Sequence, residues 1–261
     1  MKIQLAQVDA FAEKVFQGNP AAICTLEHWL DESLMQSIAT ENNLSETAYV
    51  VKATGDQYGI RWFTPNGEVD LCGHATLATA HLLFERNQIQ GDTVTFQSKS
   101  GPLPVRRYED GQLEMDFPAQ EFEHCKTPEA LLSGLGVTPV ETYRSMDYMA
   151  VLKSQQDVID CSPRLDSLLQ LDQRGVIITA PGISCDFVSR FFGPKNGIPE
   201  DPVTGSAHCI LAPYWANRLN KKIMNAHQIS KRGGKLTCEI KDNRVLIKGH
   251  AITFMTGEIS I

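Results

Sequence analysis

Two stretches of this chain, about half its length apart, follow one order. Arg61-Trp62-Phe63-Thr64-Pro65-Asn66-Gly67 leads into Asp70-Leu71-Cys72-Gly73-His74-Ala75. Arg190-Phe191-Phe192-Gly193-Pro194-Lys195-Asn196-Gly197 leads into Asp201-Pro202-Val203-Thr204-Gly205-Ser206-Ala207. Each is an aromatic strand-like run, a Pro/Asn/Gly turn, an Asp, a Gly and then an apolar helical stretch. Five features shared in the same order argue for a repeat rather than for two unrelated turns. The repeat predicts an α+β protein of two similar domains, each an antiparallel sheet curled like a barrel around one central helix. Residues 1–118 would form the first, joined by a returning last strand at 251–261. Residues 119–250 would form the second, with the junction near Pro118–Thr127.

The central helices are legible because Ala75–Arg86 and Ser206–Leu219 are apolar on nearly every side, the pattern of a helix buried all round. Strands are predicted at Lys2–Phe11, Ala21–Cys24, Thr47–Val51, Tyr58–Thr64, Thr93–Gln97, Leu103–Tyr108, Leu113–Phe117, Tyr148–Lys153, Val176–Ala180 and Phe187–Phe192. Further strands are predicted at Gln228–Ser230, Leu236–Ile240, Arg244–Lys248 and Ala251–Gly257. Lesser helices are expected over Asp31–Glu41, Thr127–Leu135 and Arg164–Leu171.

Composition removes several function classes. A net charge of −7 over 261 residues argues against nucleic acid, whose phosphates demand clustered positive charge. No stretch approaches the roughly 18 uninterrupted apolar residues of a spanning helix. Asp9 and Glu13 interrupt the start too early for a signal-peptide apolar region. The 7 Cys are scattered with no C-x-x-C or Cys/His cluster, which predicts no structural metal, reduced thiols and a cytoplasmic setting. Neither a dinucleotide G-x-G-x-x-G nor a Walker pattern is present, so no flavin, nicotinamide or nucleotide cofactor is expected.

The repeat also points to chemistry. Helix starts expose unsatisfied N–H groups and a partial positive charge, and Gly at the first position lets a ligand oxygen come close. If two such domains face one another by pseudo-symmetry, both helix starts meet one cleft suited to a carboxylate.

At these residues the chain resembles the phenazine-biosynthesis F-like proteins, relatives of diaminopimelate epimerase. The resemblance rests on Val8-Asp9-Ala10-Phe11 with Gly18-Asn19-Pro20, on Asn43-Leu44-Ser45-Glu46-Thr47-Ala48, on Cys72-Gly73-His74-Ala75-Thr76 and on Asp201 through Ala207. It covers essentially the whole chain. It implies an epimerase-like fold, isomerisation by proton transfer on a small organic acid without a cofactor, a site between the domains, and a homodimer.

Carried onto this sequence, the resemblance makes Glu46 the acid/base, against the bland reading of a solvated Glu at the head of a strand. A partly buried carboxyl there would suit a general base. His74, at a helix start that disfavours imidazolium, would act as a neutral proton relay; the alternative is a capping or packing His. Asp201 would orient substrate or carry a proton, or simply initiate its Asp-Pro turn. Gly73, Gly205 and Ser206 are expected to bind substrate, and Asn19 either to bind it or to form a turn. Asp70, His81 and His208 read as structural. The epimerase relatives use two thiols, one at each helix start. Here the repeat sets Thr204 opposite Cys72, and a hydroxyl cannot replace a thiolate near neutral pH; Cys209 lies a turn too late. The residues therefore favour a one-base isomerase. A binding protein without turnover is the alternative, and a serine hydrolase built on Ser206 is disfavoured because the G-x-S-x-G elbow is lacking.

Overall fold

The computed structural model describes every residue from Met1 to Ile261. The first half runs β1 (Lys2–Ala10), β2 (Asn19–Leu26), α1 (Glu32–Asn42), β3 (Glu46–Lys52), β4 (Gln57–Thr64), β5 (Gly67–Val69), α2 (Gly73–Glu85), β6 (Thr93–Ser98), β7 (Gly101–Arg107) and β8 (Leu113–Pro118). The second half continues β9 (Glu123–His124), α3 (Glu129–Leu135), β10 (Glu141–Arg144), β11 (Tyr148–Val151), α4 (Gln155–Asp160), α5 (Leu165–Leu168), β12 (Val176–Pro181) and β13 (Phe187–Gly193). A 3-10 turn (Pro194–Asn196) then precedes β14 (Ile198–Asp201), α6 (Gly205–Leu219), β15 (Ile223–Gln228), β16 (Gly234–Lys241), β17 (Arg244–Gly249) and β18 (Ala251–Ser260). Two compact units result, Met1–Asp116 with Lys248–Ile261, and Phe117–Ile247.

In the first unit the strands neighbour one another in the order β18, β1, β2, β3, β4, β6, β7, β8, with β5 turned back onto β4. In the second the order is β9, β10, β11, β12, β13, β15, β16, with β14 turned back onto β13. The antiparallel sheets expected from the repeat are in fact mixed. β2 lies parallel to β3, β4 to β6, β11 to β12 and β13 to β15. The cause is the helices: α1, α2, the α4–α5 pair and α6 are crossover connections, and a crossover returns the chain parallel to the strand it left.

Within its unit α2 packs against β1, β2, β3 and β18, and from His74 to Phe84 only His81 is not buried. In the second unit, Trp215 of α6 stacks on Phe187 of β13, with ring centroids 5.6 Å apart and planes at 4°. Its indole Nε1 donates to Thr179 Oγ1 at 2.9 Å. Pro213 lies inside α6. It has no N–H to give to the carbonyl of Cys209, and the Gln120 N–H fills that place at 3.0 Å.

The central helices begin earlier than expected, α2 by two residues at Gly73 and α6 by one at Gly205. The strand predicted at Gln228–Ser230 instead covers Ile223–Gln228. α4 was not predicted, although Ser154 and Asp157 form a capping box at its start.

Candidate active site

In the first unit three elements bring the predicted residues together. β2 and β3 run parallel with Ala21 opposite Glu46, so Asn19 and Glu46 lie at the same end of neighbouring strands. α2 packs on those strands, and its first turn supplies His74 after the N-cap residue Cys72, whose backbone is extended (φ −142°, ψ 109°). His74 Nε2 sits 3.1 Å from Glu46 Oε2. On the other edge of the ring, Nδ1 is 3.3 Å from the Asn19 amide nitrogen and 3.5 Å from Cys72 Sγ. Asn19 is wholly buried, and the Glu46 and His74 side chains keep only 12% and 7% of their exposure.

In the neutral ring, the Asn19 amide nitrogen and the Cys72 thiol both offer a hydrogen to Nδ1, which leaves the ring proton on Nε2, facing Glu46. The contact is off hydrogen-bond alignment, which leaves Glu46 Oε2 buried with no hydrogen bond inside the chain. A buried carboxylate oxygen with open lone pairs beside a proton-bearing ring is a base ready to accept a proton from a ligand.

The sequence expectation of a readily neutral His74 needs correction. Burial opposes its charge, but the facing thiol and carboxylate overcome that penalty and hold its pKa well above the ordinary histidine value. Burial and the Glu46 charge push the Cys72 thiol up in turn. Cys72 therefore stays a neutral thiol near pH 7, and Glu46 is the full charge that stabilises a protonated ring. A carboxylate at 3.1 Å outweighs the half-charge of a helix end.

The second unit's helix start is built differently. Thr204 occupies the N-cap position with the same extended backbone as Cys72 (φ −115°, ψ 99°), so a hydroxyl stands where the first unit has a thiol. Thr204 Oγ1 donates to Asp201 Oδ2 at 2.5 Å. Buried Gln228 locks this turn: its amide nitrogen donates to Asp201 O at 2.7 Å and to Thr204 Oγ1 at 3.1 Å, and its oxygen accepts from Thr204 N at 2.8 Å. Gly205 opens α6 beside free space, since an added Cβ would meet nothing within 4 Å. Ser206 Oγ accepts from Arg174 Nη2 at 3.0 Å.

The residues read as structural behave differently from these. Asp70 is exposed, its carbonyl accepting from Ser100 Oγ. His208 Nδ1 lies 2.8 Å from Thr204 O, and burial lowers its pKa to about 4. Cys209 is buried, its thiol pushed up to about 12. Gln228, Arg174 and Asp147 escaped the sequence analysis. A lone Gln or Arg beside a strand carries no motif, and only the strand pairing brings these residues to the helix start.

Glu46, Cys72 and His74 present ligand atoms within 4.8 Å of one another, a set that sequence spacing did not reveal. The His74 ring turns one nitrogen to the thiol and the other to the carboxylate. That arrangement suits a proton path across the ring better than convergence on one ion, which needs all donors aimed at a single point.

A family described as phenazine biosynthesis-like protein matches residues 8–257. The chain is 51% identical over 262 residues to an uncharacterized isomerase of Pseudomonas aeruginosa, with all of both chains covered. A solved phenazine biosynthesis protein of the PhzF family from Enterococcus faecalis superposes with a TM-score of 0.97 at 50% identity, again covering all of both chains. A hydroxyproline epimerase from Agrobacterium vitis, solved with trans-4-hydroxy-L-proline bound, shares the fold at 11% identity. Its TM-score is 0.64, with 99% of this chain and 92% of that one covered.

Proposed function

The chain belongs to the phenazine biosynthesis-like family of isomerases, and from that premise we propose that it moves a proton on a small carboxylate-bearing metabolite with Glu46 as the single base. The observation that carries this reading is Glu46 Oε2, buried, without a hydrogen bond inside the chain, and 3.1 Å from His74 Nε2.

In the forward step a substrate C–H bond next to an unsaturated or carbonyl-bearing carboxylate breaks. Its proton forms an O–H bond on Glu46, and the electron pair spreads into the conjugated system. Glu46 then returns the proton to a different carbon. His74, with Nε2 3.1 Å from Glu46 Oε2, stands where it can relay that proton. Asp201, buried and fixed by the Thr204 hydroxyl, assists as a second proton-carrying or orienting group. Gly73, Gly205, Ser206 and Asn19 bind the substrate, the helix-start amides serving its carboxylate. Because base, relay and anion donors all come from the chain, no cofactor is required for this chemistry.

Two observations weigh against the two-thiol alternative. Thr204 stands at the N-cap position matching Cys72, and Cys72 itself is held as a thiol by burial. The test is hydrogen exchange. The protein is incubated in D₂O with small unsaturated and β-carbonyl carboxylic acids, and deuterium uptake at carbon is followed by NMR. Uptake that depends on Glu46 supports the reading. A tightly bound acid that never exchanges would make the protein a binding module.

A further inference from the structure

The register of the two sheets places the helix starts in strict correspondence. β4 sets Trp62 against Val69, and β13 sets Phe191 against Asp201; Val69 and Asp201 each stand four residues before the first residue of their helix. Phe63 therefore matches Phe192. Because Thr47 pairs with Phe63 and Val176 with Phe192, Glu46 falls on Gly175, next to Arg174. His74 and Ser206 are each the second residue of their helices. In the first unit the Glu46 carboxylate faces the second helical residue at 3.1 Å. In the second unit a guanidinium does so at 3.0 Å. Arg174 is one residue away from the exact counterpart of Glu46, so the two helix starts carry opposite charges beside their second residue without being exact copies.

Arg174 is held rigidly. Its Nε donates to Asp147 Oδ1 at 3.0 Å and its Nη2 to Asp147 Oδ2 at 2.7 Å, while the Asp147 carboxylate is wholly buried. The guanidinium carbon lies 5.6 Å from the centroid of the Phe191 ring. Nη2 has two hydrogens, one spent on Asp147 and the other on Ser206 Oγ. A hydroxyl that accepts from a fixed guanidinium has its own hydrogen left for an acceptor, and it cannot easily reverse roles because arginine never accepts.

Resting on the proton-transfer reading, we propose that Arg174 is a positioning residue that locks Ser206 as a donor, so that the α6 start accepts a carboxylate and rejects the corresponding amide. Asp147 fixes the direction of that guanidinium and balances its charge. Selectivity here comes from the sense of one hydrogen bond rather than from a net positive field. Replacing Arg174 by Gln brings an acceptor oxygen next to Ser206, which lets the hydroxyl turn inward and lose its outward hydrogen.

The test uses isotope-labelled whole protein titrated with benzoate and with benzamide, following the Gly205 and Ser206 amide signals. Arg174→Gln alone would strand the buried Asp147 charge, so it is combined with Asp147→Asn, and a cooperative thermal melt verifies the fold. Benzoate is expected to shift both amides in the unaltered protein, with benzamide binding at least about tenfold more weakly. The paired substitution should lower benzoate affinity about tenfold and narrow the benzoate–benzamide gap. Ser206→Ala should do the same, and all three changes together should cost no more than either set alone, since Arg174 acts through Ser206. Asp147→Asn with Arg174→Lys, which keeps a donor, should restore part of the gap. Benzoate affinity indifferent to Arg174, losses that multiply in the combined variant, or amide shifts confined elsewhere would each overturn the proposal. An inert Glu46 substitution in the exchange assay sinks the proton-transfer reading alone and leaves the benzoate result to decide the anchor.

Discussion

Replacing Glu46 by Gln removes one charge and almost no volume. The amide keeps a hydrogen-bonding oxygen at the head of β3, so the strand pairing of Glu46 with Ala21 and the burial of His74 should persist. What changes is electrostatic. The carboxylate 3.1 Å from Nε2 is the full charge that favours a protonated His74 while Cys72 remains a thiol. Removing an opposite charge at that range disfavours the protonated ring, so the His74 midpoint should fall in the variant. The linkage sign follows. A raised folded pKa contributes stability that is fully present below the unfolded value near 6.5 and is lost as pH rises through the folded value; in Glu46→Gln that loss should move to lower pH and shrink. The catalytic consequence is larger. An amide cannot accept a carbon-bound proton near neutrality, and general-base catalysis is worth roughly 10²–10⁴-fold, so exchange should drop by at least about 10²-fold, or about 2.7 kcal/mol of barrier. Imidazole carbon-proton NMR reads the first effect without any substrate, and deuterium uptake into a bound acid reads the second. An unmoved His74 midpoint would refute the electrostatic argument. Wild-type exchange in Glu46→Gln, with Cys72→Ser inactive, would refute the one-base mechanism and point to thiol chemistry.

Cys72→Ser is expected to keep most of the exchange rate, within about tenfold, because a serine hydroxyl, able to donate or accept, can still pair with His74 Nδ1; rate measurements beside Glu46→Gln decide it. The thiol itself, raised by burial, should react with iodoacetamide at pH 7.5 far more slowly than free cysteine, as mass spectrometry of the intact chain would record. His208 is buried and neutral, its pKa lowered to about 4, whereas the unfolded chain takes up that proton near 6.5. Its contribution is thus intact above pH 6.5 and eroded as pH falls to about 4, by up to about 3 kcal/mol; a His208→Gln variant should show a flatter denaturant midpoint across that window. Gln228→Leu should destabilise the protein by about 1–3 kcal/mol, because it leaves the buried Thr204 N–H unsatisfied, and urea unfolding would measure the loss.

The parts of the fold that sequence displayed are those where one physical rule acts alone. α2 and α6 announced themselves by being apolar on every side, and their glycine starts by the repeated turn before them. The parallel pairings stayed hidden because they depend on how crossover helices return the chain, which no local pattern records. Gln228 misled the placement of β15: a glutamine looks like the edge of a strand, yet here it is buried to serve the Thr204 backbone. β10 was invisible for a related reason. Its Glu141-Thr142-Tyr143-Arg144 reads as polar surface until Tyr143 is seen packed between Phe122, His124 and Tyr214. In the candidate site, Glu46 and His74 could be named separately from their motifs. Their 3.1 Å approach could not, since it is made by the pairing of β2 with β3 and the docking of α2 on both. Arg174 and Asp147 gave no sign at all, because a charge pair in a register has no sequence spacing to betray it.

Pro213 has a consequence for how the second unit assembles. A helix with a proline in its interior cannot close its own ladder, and here the Cys209 carbonyl is completed by Gln120, a residue from a segment far away along the chain. α6 is therefore finished only when that segment docks. The two should open and close as one cooperative unit, with the Gln120 amide exchanging its hydrogen at the pace of the α6 interior rather than of an ordinary surface loop. A helix start that must hold an anion in register gains rigidity from such a borrowed bond: loosening residues near 120 would be felt as motion at Gly205, one turn upstream of the carbonyl that Gln120 secures.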